Sequence, residues 1–477
     1  MSTRNVFCAI LSLSAFLCLC SIAAAQSILT VPNEQALEEL DIEELTHQIR
    51  RDKFDLILPQ VMREQGIDMW IHVMREGGAY SFNDVAYGIY AEFGDTTGVY
   101  IFTDRGGDRI ERAVLGRRWQ RRNTDPIKES KAYDIVGEPI RARESAADKD
   151  TEFDRRFKGI GEFVAKRDPK RIAVNYIDEL GPTVGADSND GISHSDFRLL
   201  VKELGEKYAS RIVSSEYLEI NYISRPVPSE LVMLRRIRNW TVERLERDFA
   251  KIVPGVTTFG DIEGYSVLMR PERSGGGGNY ALKGGDFFII ESGFEAEFDI
   301  PDVGPRWQFG NFFEMTVEYG YILREGETEL PPQLKRLWSD GMKIRKVVSD
   351  NIKVGRTGRE TFTVIKRELD EAGFIVNTHQ DFYDNLDPEK TQISIDLHAE
   401  GKGRNAPRIG SIGPDWEHEI PLPLYHHFVM EMFIYMPYPE SELDQKYLSL
   451  WFHDGAIITE DGVEFPGPPP SEIRIIR

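Results

Sequence analysis

The sequence predicts an α/β protein of two units, a smaller N-terminal α/β domain and a larger domain built from a repeated half around a central cleft. Three observations carry this. Strand-like and helix-like segments alternate from residue 51 to about 215. A helix–corner–helix pattern near 251–258 returns about a hundred residues later. The last hundred residues also place ionisable side chains inside apolar, strand-like runs. A lone charge in a buried run costs several kcal/mol unless it finds a partner, so three such runs predict a shared polar pocket.

Along the chain, residues 1–25 read as an export leader. Arg4 supplies a positive start, Val6 to Leu19 an apolar stretch, and Ala23-Ala24-Ala25 the small residues expected before a cleavage point. Residues 26–50 form a polar lead-in with helical character. From Arg51, Phe54, Ile57, Leu58 and Val61-Met62 recur at helical spacing, and Gly66 is expected to stop that helix. Ile67 to Val73, Val99 to Thr103 and Arg171 to Asn175 alternate or cluster as strands, and Asp196 to Tyr208 has helical spacing. This places the first domain at 51–224. Arg225-Pro226-Val227-Pro228 breaks the chain, and Ser229 is expected to cap a helix running to about Ile252. The second domain spans 225–477.

Within it, Lys251-Ile252-Val253-Pro254-Gly255-Val256-Thr257-Thr258 ends one helix and is expected to begin another. Asn351-Ile352-Lys353-Val354-Gly355-Arg356-Thr357-Gly358 repeats the arrangement between helices near 332–352 and 359–372. This echo predicts a duplicated half, and two halves predict a cleft between them. Ser274-Gly275-Gly276-Gly277-Gly278 lacks the following Gly-Lys-Ser/Thr of a phosphate loop and reads as a connection between strands.

Composition narrows the function. The 477 residues carry 79 acidic against 58 basic side chains, a net charge of −21, which argues against a nucleic-acid-binding surface. All three cysteines (Cys8, Cys18, Cys20) fall in the leader, so the expected mature chain has no disulfide and no thiolate metal ligand. Export and a cysteine-free body suit a periplasmic or secreted protein that leaves the membrane once the leader is removed.

The candidate chemistry lies in three segments: Ile393-Ser394-Ile395-Asp396-Leu397-His398, Phe428-Val429-Met430-Glu431-Met432 and Leu450-Trp451-Phe452-His453-Asp454. His453 beside Asp454 reads equally as a structural hydrogen-bonded pair or as a ligand. His426-His427 offers one imidazole to the cleft, since neighbours on a strand face opposite ways. His418 and His379 read as surface residues.

Several segments resemble the pita-bread metallopeptidases, the family of aminopeptidase P and prolidase, whose fold the metal-free creatinase shares. Lys283-Gly284-Gly285-Asp286 to Glu291-Ser292-Gly293 is similar to the family's "Gly-Asp…Ile-Asp-x-Gly" strand, and Phe428 to Glu431 to its "Met-x-x-x-Ile-Glu" strand. Trp451 to Gly462 is similar to its closing block, and Glu325-Gly326-Glu327-Thr328 to its "Arg-Pro-Gly-Glu-Thr" turn. Lys53 to Trp70 resembles the creatinase-like N-terminal domain.

The resemblance implies a metal-activated water attacking a peptide bond, with two cations held by Asp, Asp, His, Glu and Glu in chain order. It also implies pairing of two copies through the N-terminal domain. The first Asp maps to Glu291, the His to His398, the first Glu to Glu431 and the last Glu to His453. The second Asp falls near Glu314-Met315-Thr316, with Thr316 or Met315 the expected occupant and Glu314 or Glu318 a substitute only under a shifted register. A long insert, 297–313, with Asp299 and Asp302 inside it, separates this segment from Glu291.

Two dications about 3.5 Å apart need carboxylates between them, so this chain is expected to hold one divalent ion (manganese, zinc or iron) or none. The expected ligands are Glu291, His398, Glu431 and His453, with His398 and Glu431 the catalytic pair. Three readings result: an exported Xaa-Pro aminopeptidase or prolidase-like hydrolase, a non-catalytic relative that binds a peptide or small molecule, and a creatinase-like hydrolase with His398 as general base.

Overall fold

A computed structural model describes residues 33–74, 93–95, 97–119, 125–141, 152–179, 191–269, 278–295, 313–377, 386–400, 406–440 and 446–477. The leader-like residues 1–25, the Gly-rich run 274–277, His379, residues 401–405 and Asp299 and Asp302 lie outside these residues.

The first domain is a mixed sheet in the order β4-β3-β2-β1-β5-β6. Its strands are β1 (Met69–Met74), β2 (Gly98–Thr103), β3 (Glu111–Leu115), β4 (Ile135–Val136), β5 (Ile172–Val174) and β6 (Ile212–Ser214). Two apolar layers sandwich it. Trp70, Tyr100 and Phe102 face the helices Ile42–Asp52 and Leu58–Glu64, while Ile71, Ile101 and Val174 face the helix His194–Ala209. The expected strands at 67–73, 99–103 and 171–175 therefore stand where periodicity placed them. The lead-in folds as helix onto this domain, Asp41 capping Ile42–Asp52 through the Glu44 amide.

The second domain begins with the helix Pro228–Ala250. Ser229 does not cap it, because the helix starts one residue earlier, on Pro228 after Val227; the Ser229 hydroxyl instead donates to Asp52 at 2.6 Å. Proline at the first helical position loses no hydrogen bond, so the chain needs no capping side chain there. Next are the strands β7 (Tyr265–Leu268), β8 (Phe287–Glu295) and β9 (Phe313–Ile322). Then come the helices Pro332–Asn351 and Gly358–Glu371. The strands β10 (Ile375–Val376), β11 (Gln392–Leu397), β12 (Ile409–Gly410), β13 (His427–Pro437), β14 (Tyr447–Thr459), β15 (Gly462–Glu464) and β16 (Arg474–Ile476) close the chain. One sheet runs β16-β9-β8-β7 and the other β10-β11-β13-β14-β15, with β12 beside β11. Their apolar faces share one core, Tyr319 and Tyr321 packing with Leu337, Ile344 and Phe452.

The duplication is visible in detail. Gly255 and Gly355 sit at the two corners with φ of 77° and 80°, a left-handed conformation that favours glycine. Each glycine amide donates to a leucine carbonyl, Leu282 in the first half and Leu422 in the second. Each corner then closes a capping box, Thr258 with Asp261 and Thr357 with Glu360. Beyond the capping box the two halves diverge. Thr357 opens the full helix Gly358–Glu371, whereas Thr258 opens only a 3-10 turn, Phe259–Asp261, so the expected second helix of the first half is absent. Gly260 and Gly264 interrupt that segment, and a side chain at either would meet the backbone of Gly278 or Glu291.

Candidate active site

Five residues after the two corner leucines, Leu282 and Leu422, begin the long strands β8 and β13. Glu291 and Glu431 are each the fifth residue of their strand, so they are equivalent positions of the duplicated unit. Their cross-strand partners differ: Glu291 faces Val317 on β9, and Glu431 faces His453 on β14. Glu291 also faces Tyr265 on β7, so only the second half places an imidazole opposite its carboxylate.

The four residues singled out in the sequence lie together. His398 Nε2 is 3.5 Å from Glu431 Oε2, and His453 Nε2 is 4.0 Å from Glu431 Oε1. The other ring nitrogen of His453, Nδ1, lies 3.2 Å from Glu291 Oε2. Those last two atoms are buried and neither completes a hydrogen bond. The side chains keep 11–20% of their surface exposed, so the cluster borders solvent. His398 Nδ1 lies 2.9 Å from the Ala399 carbonyl, a contact suited to Nδ1–H donation that leaves Nε2 toward Glu431. Burial opposes protonation of His398, but Glu431 and Asp396 outweigh it and raise its pKa above the ordinary histidine value. Trp451 stacks on the His453 ring at 4.5 Å and on Phe433 at 5.4 Å, which fixes the imidazole plane.

Asp396 also comes within ligand distance of His398 and Glu431. Both its oxygens already accept from Arg408, at 2.6 and 2.7 Å, and Arg408 reaches on to Glu417 at 3.0 Å. A carboxylate held bidentately by a guanidinium is poorly placed to turn toward an ion.

Two expectations about neighbouring residues are corrected. His453 does not pair with Asp454. Adjacent strand residues face opposite ways, and Asp454 points into the buried interior, 3.4 Å from Arg238 Nη2. His418 is not a surface residue: it is buried, Nδ1 lies 3.1 Å from the Arg408 carbonyl, and burial lowers its pKa. The short helix Asp415–Glu419 presses it inward beside Glu417, a tertiary contact that its polar sequence conceals.

Around the expected place of the second family Asp, Met315 alternates onto the Glu291 face of the β8–β9 pair, while Glu314, one residue out of that alternation, is fully buried. Thr316 spends its hydroxyl on Thr241 at 3.2 Å, and Glu318 pairs outward with Arg474 at 3.1 Å. Glu314 receives His427 Nε2 at 2.8 Å and Arg238 Nη1 at 3.1 Å. Room for it comes from Gly455, where a Cβ would stand 2.4 Å from the carboxylate. Of the histidine pair, His427 faces this cluster while His426 turns away to the Ser224 carbonyl at 3.3 Å, as alternation requires. Glu400, which sequence reasoning passed over, is buried beside them. Its pKa is raised well above the usual carboxylate range by burial first, then by the negative charges of Glu314 and Glu291, with Arg238 opposing. Only its place two residues past His398 hinted at it.

The sequence matches no protein-family model and no curated protein. Solved structures do match over most of the chain. The X-Pro aminopeptidase of Thermotoga maritima is 15% identical with a TM-score of 0.56, covering 87% of this chain and all of that one. The Xaa-Pro dipeptidase of Bacillus anthracis is 14% identical, with a TM-score of 0.52 over 90% of this chain and all of its own. A dipeptidase from Mycobacterium ulcerans is 14% identical, with a TM-score of 0.53 over 90% of this chain and 98% of its own. The fold is the pita-bread fold. It comes with the creatinase-like N-terminal domain, because the matches extend across nearly the whole of those chains. Within a pita-bread framework, the cluster around Glu431 and that around Glu400 are acid–histidine groups able to hold a metal ion. Among the described residues no helix is long and apolar enough to cross a membrane.

Proposed function

We propose that this chain is an exported peptide hydrolase of the Xaa-Pro aminopeptidase and prolidase kind, working with a single divalent ion. The carrying observation is the arrangement around Glu431, with His398 Nε2 on one side and His453 Nε2 on the other. Donors bound at about 2.0–2.2 Å to one tetrahedral ion lie roughly 3.3–3.6 Å apart, which the His398 contact matches and the His453 contact exceeds by about 0.4 Å, and two imidazoles with one carboxylate leave a coordination position open.

Glu291 is then better suited to orienting His453 than to ligating. It lies against Nδ1, so a proton there would aim Nε2 at the site. This also accounts for the buried Glu291 Oε2 and His453 Nδ1 having no other hydrogen bond. When bound, the ion would polarise a scissile carbonyl and acidify a water.

The chain's own residues supply the rest. Glu431 lies between the two imidazoles, and Trp451 keeps His453 from turning. In the metal-free alternative His398, bordering solvent and raised in pKa, is the group able to take and return a proton. Export rests on the leader-like residues 1–25, and pairing of two copies through the N-terminal domain on the resemblance alone.

The test is hydrolysis of Xaa-Pro dipeptides and tripeptides by the purified protein, with ion content measured alongside. Glu431→Gln should lower turnover at least about 100-fold and remove one bound ion per chain. Turnover that survives a chelator would overturn the metal-dependent reading in favour of His398 as general base beside Glu431, which their 3.5 Å contact favours. A protein that neither takes up an ion at Glu431 nor cleaves any of these peptides would overturn both.

A further inference from the structure

A second acid–histidine group lies deeper in the second domain and takes no part in the site just described. Glu314 on β9, Glu400 just past β11 and His427 at the start of β13 are all buried. One ligand atom from each falls within 4.8 Å of the others. His427 Nε2 stands 2.8 Å from Glu314 Oε2 and 3.7 Å from Glu400 Oε2.

Glu400 is the informative member. Its side chain is 4% exposed, it points at His427, and neither carboxylate oxygen has a hydrogen-bond partner. A buried carboxylate with four lone-pair sites and no donor is costly, and proteins resolve this by pairing, by a cation or by keeping a proton on it.

Charge points the same way. Glu314, Glu400 and Asp454 are three buried acids. Among the described residues, Arg238 is the one guanidinium in ion-pair contact with any of them, bonding Glu314 at 3.1 Å and Asp454 at 3.4 Å. Counted as ionised, these three acids outnumber Arg238 by two negative charges, which one divalent cation would balance. The geometry points to a second, buried divalent-cation site with Glu314, Glu400 and His427 as its donors.

Two carboxylates and one imidazole suit zinc or manganese. Arg238 already holds the other oxygen of Glu314, in the manner of a residue that orients a ligand from behind. The site is separate from the Glu431 cluster. The two groups share no donor, and His427 and Glu431 are four residues apart on β13, roughly 13 Å at the backbone. It ties β9, β11 and β13 to the helix Pro228–Ala250 that carries Arg238, so its expected role is to hold the two halves of the domain together.

The experiment is to strip the purified protein with a chelator, dialyse it against zinc, and read ion content and thermal midpoint together. Glu431→Gln should still hold one zinc per chain and melt several degrees higher with zinc than without. Adding Glu400→Gln should abolish that ion and that shift, while the metal-free form melts above its parent because an unpaired buried charge is gone. Should Glu400→Gln fail to fold, His427→Gln serves, with the same loss of zinc and shift expected.

If the single and double variants bind equal zinc and shift equally, the site does not exist, and a proton on Glu400 is what balances the cluster. A wild-type protein holding one ion, indifferent to Glu431→Gln and lost with Glu400→Gln, would sink the proposed active site and leave this inference standing.

Discussion

At the scale of single residues, the site is arranged by what surrounds each ionisable group. Glu431 was legible in the sequence because an acid at the centre of Val429-Met430-Glu431-Met432-Phe433 has to be compensated, and His453 is its direct cross-strand neighbour. Glu314 was not legible: the chain around it, Phe313-Glu314-Met315-Thr316, gives no sign of which residue faces inward. The register of β8 against β9 decides that, together with the space Gly455 leaves. Gly455→Ala tests this directly. Its new Cβ would press on the buried Glu314 carboxylate, itself fixed by Arg238 and His427, so nothing flexible can yield. The expected loss is about 1–3 kcal/mol of stability in denaturant titration, and an unchanged midpoint would show that the carboxylate sits elsewhere.

At the scale of elements, the repeated corner explains both why the duplication was visible and where it stops. Val-Pro-Gly and Val-Gly-Arg share a left-handed glycine and a following threonine cap, features that live in a few adjacent residues and so can be read from the chain. Whether a helix continues past the cap depends on what packs against it. Gly358–Glu371 buries Thr361, Ile365 and Leu369 on one face, whereas the turn after Thr258 buries Phe259 alone and ends at Ile262. Thr357→Ala removes one half of the capping box and is expected to cost about 1 kcal/mol. Hydrogen exchange should show the loss as earlier opening of residues 358–362. Equal protection in both proteins would mean that packing against β12 holds the helix start without the cap.

At the scale of the whole molecule, His426 joins the two domains. It leaves the strand on the side opposite His427 and meets the carbonyl of Ser224, where the first domain ends. Burial first, with the charge of His427 adding, lowers its pKa from 6.5 to about 4, although the Ser224 carbonyl favours the protonated ring. The folded value lies below the unfolded one, so the unfolded chain binds the extra proton between them. Stability from His426 is therefore complete above about pH 6.5 and is lost as pH falls toward 4, roughly 3 kcal/mol in all. His47, also lowered to about 4, adds a slope of the same sign within the first domain. Urea midpoints measured from pH 4 to 7 should rise with pH, and His426→Gln should flatten part of that rise. An unaltered slope in the variant would place the titration elsewhere.

The sequence alone determined what depends on local pattern: the strands and helices of the first domain, the repeated corner, and the acids and imidazoles set in apolar strands at Glu291, His398, Glu431 and His453. These arise from periodicity, glycine conformation and the cost of burying a charge, all of which act over a few residues. The tertiary structure decided which of those groups meet and which residues join them from a distance. Glu314, Glu400, Arg238 and His427 come from four elements separated by up to 189 positions. Their encounter depends on strand register and on the space left by one glycine, neither of which is written in any single segment.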